Sequence, residues 1–286
     1  MFWSGTGTRR LNAEAEQRLA LARQNSPGSE SWLALVAAAL AETADVGRWR
    51  VTVHTLPEAT RSARAPLLHG AEIAVDGGAV RRFVHRLADL AGLNGETPDP
   101  LEAVALVEAA ICQDDSRITA ADPAKLRVVA QVAALPLLVT AAQSIGATVS
   151  TAWCEGYCPV CGAWPTLAEF RGLERKRWLR CGRCATAWEM PWLRCAFCGE
   201  TDHEHLGYLA PEGETSRKVE VCDTCKGYLK AEPTVSALPW SGVVLDDAAT
   251  VAFDVAALDR GYHRPDRPGF DLDVHIVTHR SAFWKI

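Results

Sequence analysis

The sequence predicts an α plus small β protein. An N-terminal all-α helical domain is expected over residues 1–150, two tandem four-cysteine units of the rubredoxin-like or zinc-ribbon kind over 151–191 and 192–235, and a C-terminal helix with its tail over 236–286. Three observations carry this reading. The first 150 residues repeat apolar side chains at helical spacing. Beyond them lie nine of the ten cysteines and five of the ten tryptophans, all before residue 226. Eight of those cysteines form four Cys-x-x-Cys pairs, CPVC, CGRC, CAFC and CDTC.

Within the helical part, SESWLALVAAAL from Ser29 places Trp32, Val36, Ala39 and Leu40 on one face. Phe83, Leu87, Leu90 and Ala91 repeat that spacing, with Gly92 as a C-terminal stop. Asp99-Pro100-Leu101-Glu102 combines an N-cap acceptor, proline at the first helical position and glutamate at N3, which predicts a helix to about Cys112. Asp122-Pro123 opens another helix, apolar on nearly every side through Leu126, Val129, Ala133 and Leu137, with a kink expected at Pro136. A last amphipathic helix is expected from about Asp246 to Arg260, with Val251, Val255 and Leu258 on one side and Gly261 after it. From His263 onward the tail shows no clear period.

Composition narrows the class. An apolar share of 48% fits a soluble globular chain. The run VVAQVAALPLLVTAA is interrupted by Gln131 and Pro136 and falls short of the roughly 18 apolar residues of a membrane span, so it reads as a core helix. No apolar stretch precedes the first charges at Arg9-Arg10, so a cytoplasmic location is expected. In that reducing compartment, paired cysteines are metal ligands before they are disulfides. A net charge of -5 offers no general attraction to nucleic acid or to an anionic membrane.

The cysteine segment is an internal duplication. CPVC is separated from CGRC by 19 residues, and CAFC from CDTC by 23. Each Cys-x-x-Cys turn presents two sulfurs from one tight loop, and two facing turns complete a tetrahedral site with sulfurs about 2.3 Å from the ion. Cys158, Cys161, Cys181 and Cys184 are therefore expected to hold one ion, and Cys195, Cys198, Cys222 and Cys225 a second. Each span from first to last cysteine is only about 30 residues, below the roughly 40 that an apolar core needs, while a structural zinc contributes on the order of 10 kcal/mol of folding free energy. A four-thiolate tetrahedron suits zinc and also a single iron, and spacing does not separate them. With every vertex occupied by protein sulfur, neither ion keeps the open position that catalytic zinc requires. No P-loop, dinucleotide fingerprint, nucleophile elbow or zincin helix is present, so no catalytic residue is assigned and the chain is not expected to be an enzyme.

The remaining candidates have blander readings. Cys154 is a spare thiol near the first pair, and Cys112 a small buried apolar residue. His203 and His205 lie on a loop of the second unit. RGLERKRWLR, Arg171 to Arg180, carries five positive and one negative side chain around Trp178. That pattern suits a nucleic-acid surface, but Cys158 to Lys230 as a whole holds 11 basic and 10 acidic residues, and a solvated hairpin strand explains the run nearly as well.

The runs CPVCGAWP, RWLRCGRCATAWEMPWLRCAFCG and EVCDTCKGYLK resemble the FdhE family of formate dehydrogenase accessory proteins. The resemblance extends more loosely to NSPGSESWLALVAAALAE and DDAATVAFDVAALDRGY, and not to the tail beyond about Arg264. It implies a cytoplasmic protein with a helical N-terminal domain and two rubredoxin-like metal units, binding iron or zinc. It also implies a role in maturing a molybdenum- or tungsten-dependent formate dehydrogenase, through contact with that enzyme's catalytic subunit. The family's functional cysteines fall here on the eight named above. Two readings of other classes stand beside it: a zinc-ribbon nucleic-acid-binding protein using Arg171 to Arg180, and an electron-transfer or thiol-redox protein using iron.

Overall fold

The structure, a computed structural model, describes residues 11–93, 100–120, 122–146, 152–210 and 217–279. Two short antiparallel strands interrupt the helical part. In order come α1 (Ala13–Asn25), α2 (Glu30–Thr43), β1 (Thr52–His54), β2 (Ala71–Val75), α3 (Gly77–Leu90), α4 (Pro100–Cys112) and α5 (Pro123–Ile145). Local chemistry sets the boundaries: the Asn12, Asp76 and Asp122 side chains accept from the backbone N–H three residues on, satisfying a donor each helix start leaves orphaned. Asp99, the expected cap of α4, lies outside the described residues.

Helix α5 is the centre of this region and packs against α2, α3 and α4. Val129, Ala133, Leu137 and Leu138 are fully buried, as an apolar-all-round sequence requires. By length and composition α5 could cross a membrane, yet most of its apolar stretch is buried inside the protein. Pro136 does not end it; the helix runs as one element to Ile145. On α2, Val36, Ala39 and Leu40 are buried as the spacing predicts, while Trp32 stays partly exposed.

The cysteine segment supplies β3 (Leu167–Arg171), β4 (Lys176–Arg180), β5 (Ala187–Glu189), β6 (Leu206–Leu209), β7 (Lys218–Cys222) and β8 (Tyr228–Thr234). Each duplicated unit forms three strands, and the two triplets merge into one six-stranded sheet of order β5-β4-β3-β8-β7-β6. The seam is the parallel pair β3–β8, with Leu167 opposite Lys230 and Glu169 opposite Glu232.

Two helices follow where one was expected. The chain breaks at Thr250 between α6 (Trp240–Ala249) and α7 (Val251–Leu258). Helix α6 turns back onto α1 and α2, burying Val244, Leu245 and Ala248 against Leu19, Ala22 and Leu33. Helix α7 faces the sheet instead, with Ala257 and Phe253 against Val219, Val221 and Tyr228. That choice leaves Val251, Val255 and Leu258, the predicted core stripe, exposed.

Between the sheet and these helices lies a layer of charge. Lys230 Nζ reaches Asp247 Oδ1 and Asp254 Oδ2, both at 2.7 Å, and Arg264 Nη2 reaches the same Asp247 oxygen at 2.6 Å. Arg18 of α1 pairs with the buried Asp246, and Arg180 and Arg171 converge on the fully buried Glu169.

The tail also has structure. Leu272, just before β9 (Val274–Thr278), and Val274 and Ile276 on it alternate inward, and β9 pairs in parallel with β2. The helical region is therefore not all-α: β1, β2 and β9 form a three-stranded sheet, closed by residues some 200 positions downstream of its first strand.

Candidate metal centres

All four Cys-x-x-Cys turns share one backbone design. In each, the first cysteine's N–H donates to the carbonyl five residues on: Cys158 to Ala163 (2.8 Å), Cys181 to Thr186 (2.9 Å), Cys195 to Glu200 (2.8 Å) and Cys222 to Gly227 (3.0 Å). Closing so tight a loop requires positive φ at the fourth residue after that cysteine, occupied by Gly162, Ala185, Gly199 and Lys226. The glycines of CPVCG and CAFCG answer that need directly. Val160 N–H and Phe197 N–H point at Cys158 Sγ and Cys195 Sγ, each at 3.4 Å.

The turns meet in pairs as the duplication predicts. Cys158 Sγ lies 3.4 Å from Cys184 Sγ, and Cys161 Sγ 3.5 Å from Cys181 Sγ. In the second unit the pairs Cys195–Cys225 and Cys198–Cys222 each stand at 3.7 Å. Within each group of four, every sulfur is within 4.8 Å of every other. A tetrahedron with metal–sulfur bonds of about 2.3 Å has edges near 3.8 Å, so both cages have the dimensions of a four-thiolate site.

Electrostatics point the same way. Burial pushes the Cys158 and Cys184 thiols well up. Burial opposes the Cys181 thiolate too, but hydrogen bonds from Cys158, Cys161 and Cys184 overcome it and hold that group well below the ordinary thiol value. In the second unit burial raises Cys195, and Cys225 to about 11, while backbone N–H groups from Cys225 and Thr224 outweigh burial at Cys222 and pull it down. Thiols crowded this closely resist carrying several negative charges at once; a cation at the centre removes that conflict.

The two cages are set differently in the fold. The first belongs to the same apolar core as α3, α4 and α5, through Cys158, Val160, Cys161, Cys181 and Cys184. Leu67 and Leu68 N–H donate to the Pro159 and Val160 carbonyls at 2.8 and 3.1 Å, and Arg183 Nη2 donates to the Ala110 carbonyl of α4 at 2.6 Å. Trp240 Nε1 donates to the Gly182 carbonyl at 2.8 Å, tying α6 to the same turn. The second cage sits at the far edge of the sheet, joined to the first by Phe197 against Trp164 (ring centroids 5.4 Å apart) and by a close approach at Gly156. A Cβ on Gly156 would stand 1.6 Å from the Ala196 carbonyl oxygen. Gly156→Ala is accordingly expected to lower stability by about 3 kcal/mol through overpacking; an unshifted thermal transition would contradict it.

The other sequence candidates fall outside both cages. Cys154 is exposed and Cys112 half-buried, its Sγ 3.8 Å from the Val274 carbonyl oxygen. Among the described residues neither joins a metal-sized cluster, and neither do His203 and His205, which sit on an exposed turn with His205 Nδ1 3.5 Å from Glu200 Oε2. The basic run is largely consumed internally. Arg177 pairs with Glu220 at 2.6 Å, Arg180 with Glu169, and Arg171 with Glu169 while stacking on Trp178 at 4.5 Å. Three of the five positive charges assigned to a solvated strand are thus bound within the protein. The Arg177 pair is beyond any local pattern, since Glu220 lies 43 residues away.

Comparison with known proteins agrees with this architecture. A family model described as FdhE, C-terminal domain, matches residues 193–268. The FdhE homolog of Rhizobium meliloti (strain 1021) is 37% identical over 122 residues, covering 41% of this chain and 38% of that protein. Protein FdhE of Escherichia coli O127:H6 is 34% identical over 115 residues, covering 38% and 35%. The FdhE homolog of Aquifex aeolicus is 29% identical over 121 residues, covering 40% and 41%. The matched part of the chain thus spans about two fifths of these relatives' own length. The crystal structure of the FdhE protein from Pseudomonas aeruginosa superposes with a TM-score of 0.56 at 23% identity, over 89% of this chain and 92% of that one, which establishes a shared fold. Residues 193–268 thus match the C-terminal domain of FdhE, the cysteine segment is similar to that of FdhE proteins, and the chain as a whole shares the fold of one of them.

Proposed function

We propose that this chain is a non-catalytic accessory protein for the maturation or assembly of a formate dehydrogenase, and that it binds that enzyme's catalytic subunit through a surface shaped by two bound metal ions. Cys158, Cys161, Cys181 and Cys184 hold one ion, and Cys195, Cys198, Cys222 and Cys225 the other. The observation that carries the reading is the pair of complete four-sulfur cages on one continuous sheet. A cage that supplies four protein ligands leaves its ion no vertex for substrate, so the ion's contribution is to fix shape. Iron and zinc both suit these donors. Internal pairing of Arg171, Arg177 and Arg180 weakens the nucleic-acid alternative, because paired guanidinium groups are not free to neutralise phosphates.

The test is capture of the formate dehydrogenase catalytic subunit by the native chain and by Cys181→Ala. Native protein is expected to retain the subunit, and the variant to lose at least about tenfold in capture, the equivalent of roughly 1.4 kcal/mol. Equal capture by both would exclude a metal-ordered surface.

A further inference from the structure

We infer that the two cages are kinetically unequal: the first holds its ion permanently, and the second exchanges its ion with external thiolate or nitrogen ligands across the edge formed by Cys198 and Cys225. The inference rests on the reading that each cage holds an ion.

The asymmetry is geometric. All four cysteines of the first cage are at most 1% exposed. Their turns are stitched on one side to the segment before β2 by Leu67 and Leu68, and on the other to α4 by Arg183. A ligand reaches that ion only if the helical region parts from the sheet, a sub-global opening. In the second cage Cys198 is exposed and Cys225 half-buried, although Cys195 and Cys222 are buried. The outer turn is held at the surface, by Lys226 Nζ to Asp223 at 2.6 Å and Thr224 Oγ1 to Glu200 at 2.7 Å, and by the segment after α7 through Tyr262 Oη to Asp223 Oδ1 at 3.0 Å and His263 N–H to the Lys226 carbonyl at 2.8 Å, and these ties leave Cys198 exposed. The buried half is not sealed either. A cavity of about 60 Å³ opens against Cys195 and Cys222, bounded by Trp192, Leu206 and Tyr208 where the chain crosses from β5 to β6.

Exchange at a four-thiolate ion begins when an incoming donor forms a bond to the metal while one cysteine leaves as thiolate and takes a proton from water; the ion's oxidation state does not change. Only the second cage presents a sulfur to solvent from which that displacement can start. Its ligand class is a soft donor carried by another molecule, and its cargo a soft divalent ion.

The full chain loaded with zinc, with stoichiometry fixed by elemental analysis, tests this. On addition of excess 4-(2-pyridylazo)resorcinol, one equivalent is expected to leave at least about ten times faster than the other, as edge opening precedes sub-global opening. A pulse of N-ethylmaleimide during the fast phase, mapped by mass spectrometry, is expected to label Cys195, Cys198, Cys222 and Cys225 and to spare Cys158, Cys161, Cys181 and Cys184. Loading with fewer than two ions overturns the two-ion reading and this inference with it. Two ions leaving at one rate, or first-cage cysteines labelled in the fast phase, overturn the inference alone.

Discussion

Cys181→Ser is expected to abolish the cooperative thermal transition of the helical region as well as that of the sheet, and to remove one of two bound ions. The reason is location. Cys181 is fully buried and belongs to one apolar core with α3, α4 and α5. The turn that carries it is held by Arg183 to the Ala110 carbonyl and by Trp240 to the Gly182 carbonyl, so its collapse releases the ends of α4 and α6 together. A structural four-thiolate ion contributes on the order of 10 kcal/mol to folding, and a domain's whole stability is about 5–15 kcal/mol, so losing the ion takes most of what is available. Cys198→Ser is the control. It also breaks a four-sulfur site, but one at the sheet edge, and is expected to lose its ion while leaving the helical transition within about 1 kcal/mol of native, since local opening need not reach distant elements. Circular dichroism melts paired with metal analysis separate the two. Equal melts for the two variants would show that the first cage does not knit the helices to the sheet.

The difference between the cages was invisible in the sequence, although the cages themselves were not. Cys-x-x-Cys spacing reports a local loop geometry, and the glycines of CPVCG and CAFCG mark the positive-φ position, so the two groups of four clustered cysteines are legible in the sequence. Burial of Cys158 against exposure of Cys198 depends on what packs above each turn, and those partners come from the segment before β2 and from α4. Long-range pairing explains the other departures. The inward alternation Leu272, Val274, Ile276 is a strand signal, but it is short, and the partner that gives it meaning, β2, lies some 200 residues earlier. Helices α2 through α5 carry their periodicity in their own residues and were legible. The stripe Val251, Val255, Leu258 was equally periodic, and misleading: the break at Thr250 lets α7 turn Phe253 and Ala257 to the sheet instead.

The buried charge beneath α6 gives the second large effect. Glu169→Ala is expected to destabilise the protein by about 3–5 kcal/mol, the cost of leaving a buried partner charge uncompensated. Glu169 is fully buried on β3 at the seam of the two units. Its Oε1 accepts from Arg180 Nη1 and, at 3.2 Å, from the Leu238 N–H that leads into α6, and its Oε2 accepts from Arg171 Nε. Burial already pulls the Arg180 guanidinium below its ordinary value, and the Glu169 carboxylate is the charge that opposes this. Without it, Arg180 and Arg171 face each other as like charges. Across the seam Glu232, itself pushed up by burial, is paired with Arg217 at 3.2 Å and is not placed to take over. Glu169→Gln keeps the side chain's shape and one acceptor but not its charge, so the order of melting temperatures should be native, then Gln, then Ala. Were Ala to melt within a few tenths of a kcal/mol of native, the paired arginines would have to be solvated, and the layer between the sheet and α6 would be wet instead of ionic.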